Sequence, residues 1–162
     1  MLIRSVNTID AGSITGIYNH YVRNSIITFV EDPIPVDDII ADIKSANSNQ
    51  LPYLIAEEDN QVLGYAYASK WKGRCAYRHS VEVTVYLDQR AMGQGVGSKL
   101  YKVLFSKLRE KSIHVALAGI ALPNLESIAL HEKFGMQKVA HFKEVGNKFD
   151  KWVDVAYWQV IL

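Results

Sequence analysis

Residues 81–108 read VEVTVYLDQRAMGQGVGSKLYKVLFSKL, and the way this run divides decides the fold. Val81, Val83, Val85 and Leu87 alternate with Glu82, Thr84 and Tyr86, the period-two pattern of a half-buried strand. Glu82 therefore falls on the face opposite the valines. Gly93-Gln94-Gly95-Val96-Gly97-Ser98 follows, and Val96, Leu100, Val103, Leu104 and Leu108 then recur at helical spacing. A glycine-rich turn that opens a helix gathers backbone N–H groups and adds the positive end of the helix dipole. The stretch thus predicts a cradle for a phosphate-bearing ligand, with Glu82 beside it.

Outward from this unit, Leu2–Val6 reads as a short strand. Asp10 is a candidate cap for a helix carrying Ile14, Ile17, Tyr18, Tyr21 and Val22. Ile26–Phe29 fits strand or loop. Val36, Ile39, Ile40 and Ile43 mark a second amphipathic helix with Pro35 near its first turn, and Ser45–Gln50 reads as a polar loop. Tyr53–Glu57 and Val62–Trp71 predict a hairpin turning at Asp59-Asn60. Beyond the central helix, Ile113–Ile120 reads as a buried strand. Asn124 caps a helix over Leu125–Phe134 that Gly135 stops, and Gln137–Val145 and Trp152–Leu162 are the last strands. This order is α+β around a central sheet, as a single domain over residues 1–162.

Composition narrows the function classes. A formal charge of +1 argues against a dedicated nucleic-acid binder. One cysteine, Cys75, permits neither an internal disulfide nor a thiolate metal cluster. No apolar run approaches the ~20 residues of a membrane span, and MLIRSVNTID lacks a signal-peptide core, so a cytoplasmic protein without membrane contact is expected. The glycine turn by itself is weak. A Rossmann site places its glycines after the first strand with an acidic residue ~20 positions on, and Gly97-Ser98-Lys99 has the Walker residue types in the wrong order.

The run from Glu82 through GQGVGS resembles the acetyl-CoA motif of the GNAT superfamily of N-acetyltransferases. Residues 121–136, ALPNLESIALHEKFGM, resemble that superfamily's second signature. Ile17-Tyr18-Asn19, Thr28-Phe29, Gly64-Tyr65-Ala66-Tyr67, Arg74-Cys75-Ala76-Tyr77-Arg78-His79 and Trp152-Val153-Asp154 extend the likeness across the chain. They point to the phosphinothricin and methionine sulfoximine acetyltransferases, also described as L-amino acid N-acyltransferases.

The resemblance implies a GNAT fold: a central mixed, mostly antiparallel sheet with splayed strands, flanked by helices. It also implies an acetyl-CoA co-substrate with no metal, a small-molecule amine acceptor and a homodimer. Val85, Tyr86 and Leu87 would form the strand edge that pairs with the pantetheine arm. Gly93, Gln94, Gly95, Val96, Gly97 and Ser98 would hold the pyrophosphate, and Asn124 and Lys133 would add cofactor contacts. Met92 departs from the usual Arg or Gln before the first glycine, with Arg90 as a frame-shifted substitute. Glu82 would be the catalytic base and His131 a general acid. Arg74, Cys75, Ala76, Tyr77 and Arg78, with Phe29, would bind the acceptor, and Tyr65 and Trp71 could add apolar walls. Two alternatives remain at this point: an acetyltransferase for protein N-termini or other amines, and a non-catalytic acyl-CoA-binding module.

Overall fold

The computed structural model describes residues 1–162. Strands β1 (Leu2–Ser5), β2 (Tyr53–Glu58), β3 (Gln61–Lys70), β4 (Ser80–Leu87), β5 (Val115–Ala121), β6 (Gln137–Lys148) and β7 (Lys151–Ile161) form one sheet in the order β1-β2-β3-β4-β5-β7-β6. Helices α1 (Ala11–Asn24), α2 (Val36–Ser48), α3 (Val96–Glu110) and α4 (Leu125–Lys133) cover it. Every neighbouring pair is antiparallel except β4 with β5.

Period two sorts the central strands into two chemically different faces. Leu54, Ala56, Ala66, Ala68, Val81 and Val83 join the apolar stripe of α3 in one core. Their neighbours Tyr53, Ile55 and Tyr65 pack with Ile14, Ile17, Ile39 and Ile43 of α1 and α2 in the other. Glu82, Thr84 and Tyr86 belong by alternation to this second, tyrosine-rich face.

The β2–β3 hairpin turns at Asp59 and Asn60, both with positive φ, as a two-residue primed turn requires. Asn124 caps α4 by accepting the Ser127 N–H at 3.1 Å, and Gly135 is left-handed just past the helix. Three local expectations are corrected. Helix α2 continues through the polar run to Ser48, because Ala46 is buried in the α1–α2 core and tertiary packing outweighs propensity. Strands β6 and β7 extend to a tight turn at Phe149 and Asp150, both at positive φ with no glycine to announce it. Asp10 precedes α1 but makes no side-chain cap to it.

Asp10 instead answers a cation. Its two carboxylate oxygens accept from Arg4 Nη1 and Nη2, each at 2.9 Å, and one also takes the Asn7 N–H at 2.7 Å. Glu57 accepts from the same guanidinium at 2.6 Å. The Arg4 hydrogen bonds hold the Asp10 carboxyl below the usual carboxylate range, against the cost of its burial. The stabilisation is fully present above the unfolded carboxyl pKa of about 3.9 and is lost as pH falls through the lower folded value. Urea melts of Asp10→Asn should therefore show a loss of roughly 1–3 kcal/mol at neutral pH, shrinking as the medium is acidified. A constant deficit at every pH would show that the ion pair is not its source.

Candidate active site

Strands β4 and β5 pair only at Ser80↔Val115, Val81↔Ala116 and Glu82↔Leu117. Beyond Glu82 they part: β4 continues along β3, while Ala118–Ala121 follow β7. The wedge between them is lined by Val83–Tyr86, Gly119–Ala121, Tyr101, Asn124 and His131. Val85, Tyr86 and Leu87 thus stand past the last β4–β5 rung, although the Leu87 carbonyl already accepts the Tyr21 hydroxyl at 2.6 Å.

The glycine turn lies between β4 and α3. Gly93 and Gly95 have φ of 73° and 75°, a left-handed backbone that glycine adopts without cost. Gly95 is the residue before α3 and offers no side-chain cap. None of the backbone N–H groups from Gly93 to Ser98 meets an acceptor within the chain; the first to do so is Lys99, on the Gly95 carbonyl at 3.1 Å. Such a run of free donors at a helix N-terminus suits a pyrophosphate. Lys133 reaches the same place from α4 and donates to Ser98 Oγ at 3.1 Å. Arg90 does not substitute at Met92: its guanidinium forks onto Asp88, with Nε–Oδ1 and Nη2–Oδ2 both 2.9 Å. The residues present therefore fit a CoA pyrophosphate through backbone and Lys133.

Glu82 sits on the last shared rung, half-buried. Burial pushes its carboxyl above the ordinary value; the Gly119 backbone and the Lys72 charge pull the other way. It is the one charged residue lining a cavity of about 450 Å³ otherwise walled by Ile27, Phe29, Gly119, Ala121, Phe142, Val145, Val155 and Tyr157. Ile27, Gly119 and Ala121 line this cavity and the wedge alike, so the two spaces adjoin.

The wall is held by a buried lysine that the sequence did not single out. Lys148 Nζ donates to the Val22 and Thr28 carbonyls, both at 2.8 Å, and pins the crossing that carries Ile27 and Phe29. Gly146, also on β6, lets the Phe29 ring lie close: a Cβ there would overlap the ring and push it aside.

His131 is buried in the wedge wall. Its Nδ1 lies 2.6 Å from the Ser127 carbonyl, which can only accept, so Nδ1 carries the proton. Burial lowers its pKa and keeps the ring neutral. Nε2 is then the acceptor of the Tyr101 hydroxyl at 2.9 Å.

Of the expected acceptor residues, Phe29 joins Glu82, whereas Arg74, Cys75 and Arg78 do not reach that cavity. They line a separate basic hollow with Lys70, Lys72 and Lys111 at the start of β4, beside Ser80 and Val81. Ala76 and Tyr77 are exposed on the single turn between them. Tyr65 faces a different cavity under α2. Trp71 packs edge-on to Tyr157, with 5.3 Å between centroids, and Lys72 Nζ stands 5.0 Å over the Trp71 ring. Phe142, Val145, Val155 and Tyr157 were missed because alternation on two late strands says nothing about which cavity they wall.

Comparison with known proteins agrees with this geometry. Residues 3–157 match the family described as "Acetyltransferase (GNAT) domain". A phosphinothricin N-acetyltransferase from Streptomyces coelicolor is 40% identical over 154 residues, 93% of this chain and 90% of its own length. An L-methionine sulfoximine/L-methionine sulfone acetyltransferase from Salmonella typhimurium is 33% identical over 162 residues, 100% of this chain and 95% of its own. The yncA protein of Salmonella typhimurium, solved with its cofactor acetyl-CoA, superposes with a TM-score of 0.97 at 33% identity, covering 100% of this chain and 94% of that one.

Proposed function

Because the chain belongs to the GNAT acetyltransferase family, we propose that it moves the acetyl group of acetyl-CoA directly onto the α-amine of a small amino acid or analogue, with Glu82 as the base. The observation that carries this reading is the junction at Glu82, where the wedge and the apolar cavity share walls. Relatives named for phosphinothricin and for methionine sulfoximine and sulfone support the acceptor class.

The bound cofactor would supply an activated thioester carbonyl. The free N–H groups of Gly93–Ser98 and Lys133 would hold its pyrophosphate, while the strand edge at Val85–Leu87 and the Asn124 side chain orient its arm. An α-amine with a pKa near 7.7–8.0 is largely protonated at neutral pH and must lose that proton before it attacks. Glu82, directly or through a water, takes it. A carboxyl raised by burial is a stronger base than a solvated one, which suits the task. His131 has no proton on the nitrogen that faces Tyr101, so we assign it to holding α3 and α4 together at the wedge.

Lys72, the cation that Glu82 senses, would meet the acceptor's carboxylate, whereas Arg74 and Arg78 open onto the separate hollow. A homodimer belongs to the same reading: Val139, Phe142, Val145, Phe149 and Trp152 leave large apolar surface exposed on the β6–β7 hairpin.

Thiol release from acetyl-CoA tests the function. Methionine sulfone or phosphinothricin should drive it, and acceptors whose carboxylate is amidated should show a kcat/KM lower by roughly tenfold or more. No release with any free amino acid or analogue would refute the activity. Equal rates with amidated acceptors would remove the carboxylate contact alone.

A further inference from the structure

A cavity of about 380 Å³ lies between α2 and the tyrosine-rich face of the sheet, apart from the wedge and from the Glu82 cavity. Its floor is Tyr53, Tyr65 and Tyr67. Tyr53 and Tyr67 stack at 4.9 Å between centroids, and Tyr65 and Tyr67 lie within 12° of parallel. Tyr18 closes one side, and Asp38 and Asp42, one turn apart on α2, form the rim. The cavity thus joins a cluster of mutually packed tyrosines to two carboxylates.

Two features are not explained by folding. Tyr53 and Tyr65 are 4% and 1% exposed, yet neither hydroxyl has a hydrogen-bond partner. Every fully enclosed polar side-chain atom in the chain is satisfied, so these two hydroxyls keep a trace of accessible surface, and the cavity that both residues line is where a partner would reach them. Asp42 also lacks a counter-charge. Asp38 complements the N-terminus of α2, but Asp42 lies beyond the first turn, and the charge it feels most is Asp38, a like charge. Neither takes part in any ion pair.

We propose that this cavity is a second ligand site, one that takes a small organic cation with an apolar body. The paired aspartates supply a negative rim that attracts a cation, and the tyrosine side chains that line the cavity supply an apolar wall for its body. The unpartnered hydroxyls serve as acceptors inside. An anion is repelled at the rim, a neutral molecule leaves both carboxylates unmatched, and a bare metal ion makes no use of the aromatic floor. The site is independent of the acetyl-transfer reading, since it lies outside the Glu82 cavity.

Choline is a suitable probe, because its quaternary nitrogen has no lone pair and cannot be acetylated. Titration by calorimetry and by tyrosine ring NMR should show saturable binding that perturbs Tyr53 and Tyr65. Dimethylbutanol, its uncharged carbon isostere, should bind roughly tenfold or more weakly. The Asp38→Asn/Asp42→Asn double variant, changed only at exposed positions, should weaken choline by a similar factor and leave acetyl-CoA binding intact. Glu82→Gln should leave choline binding unchanged. Absence of saturation, equal binding of the alcohol, full affinity in the double variant, or loss of binding in Glu82→Gln would each overturn the site.

Discussion

Glu82→Gln should lower turnover by about 10²–10⁴-fold at neutral pH while acetyl-CoA affinity stays close to that of the parent chain. The amide keeps the size and hydrogen-bonding reach of the carboxylate and removes only its basicity. Its effect on stability separates chemistry from misfolding. Burial raises the Glu82 carboxyl, so the neutral form is the better accommodated one. That contribution is fully present below the unfolded pKa and is lost as pH rises through the higher folded value. A permanently neutral glutamine avoids the loss, and the variant should melt no lower than the parent at neutral pH. The rate profile has a matching sign: kcat should fall on the acid side at a higher pH than an ordinary glutamate, about 4.3, would give, and the variant should lose that limb. Unchanged turnover across the pH range would remove Glu82 as the base.

The second large effect is expected at Gly95. Acetyl-CoA at a hundredfold excess over its Kd should stabilise the parent chain by about 2.7 kcal/mol, read as a rise in melting temperature. Gly95→Asp should abolish that rise. The position has φ of 75°, where a side chain costs roughly 1–2 kcal/mol, and a carboxylate there faces the anion that the Gly93–Ser98 amides are placed to receive. No heavy atom lies within 4 Å of a Cβ at this glycine, so the variant retains room to fold. Gly95→Ala carries the backbone cost without the charge and should keep part of the stabilisation. Full retention in Gly95→Asp would refute the turn as the pyrophosphate site.

The family, the fold class and the glycine turn that opens α3 were legible in the chain itself because each rests on neighbouring residues. Alternation from Val81 to Leu87 sets a strand with Glu82 opposite the valines. Glycines at 93 and 95 sit where the backbone turns left-handed, and Asn124 and Gly135 bracket α4 through its own end groups. These are short-range signals, and they survive folding unchanged.

What surrounds Glu82 was decided by register between distant strands. The seven residues from Val115 to Ala121 pair along their length with β7, while only three pair with β4, and that mismatch opens the wedge just past the glutamate. The same pairing brings Gly119 beside its carboxylate, and the β6–β7 hairpin delivers Phe142, Val145 and Tyr157 to the cavity wall. Arg74 and Arg78 precede Glu82 closely in sequence, yet they open onto a different hollow. The hairpin itself closes through Phe149 and Asp150 at positive φ, which no local preference demands. Local chemistry placed Glu82 on its strand and the glycines in their turn; the splay of two strands and the reach of a late hairpin chose what lies next to them, because side-chain neighbours across a sheet are set by pairing and not by proximity along the chain.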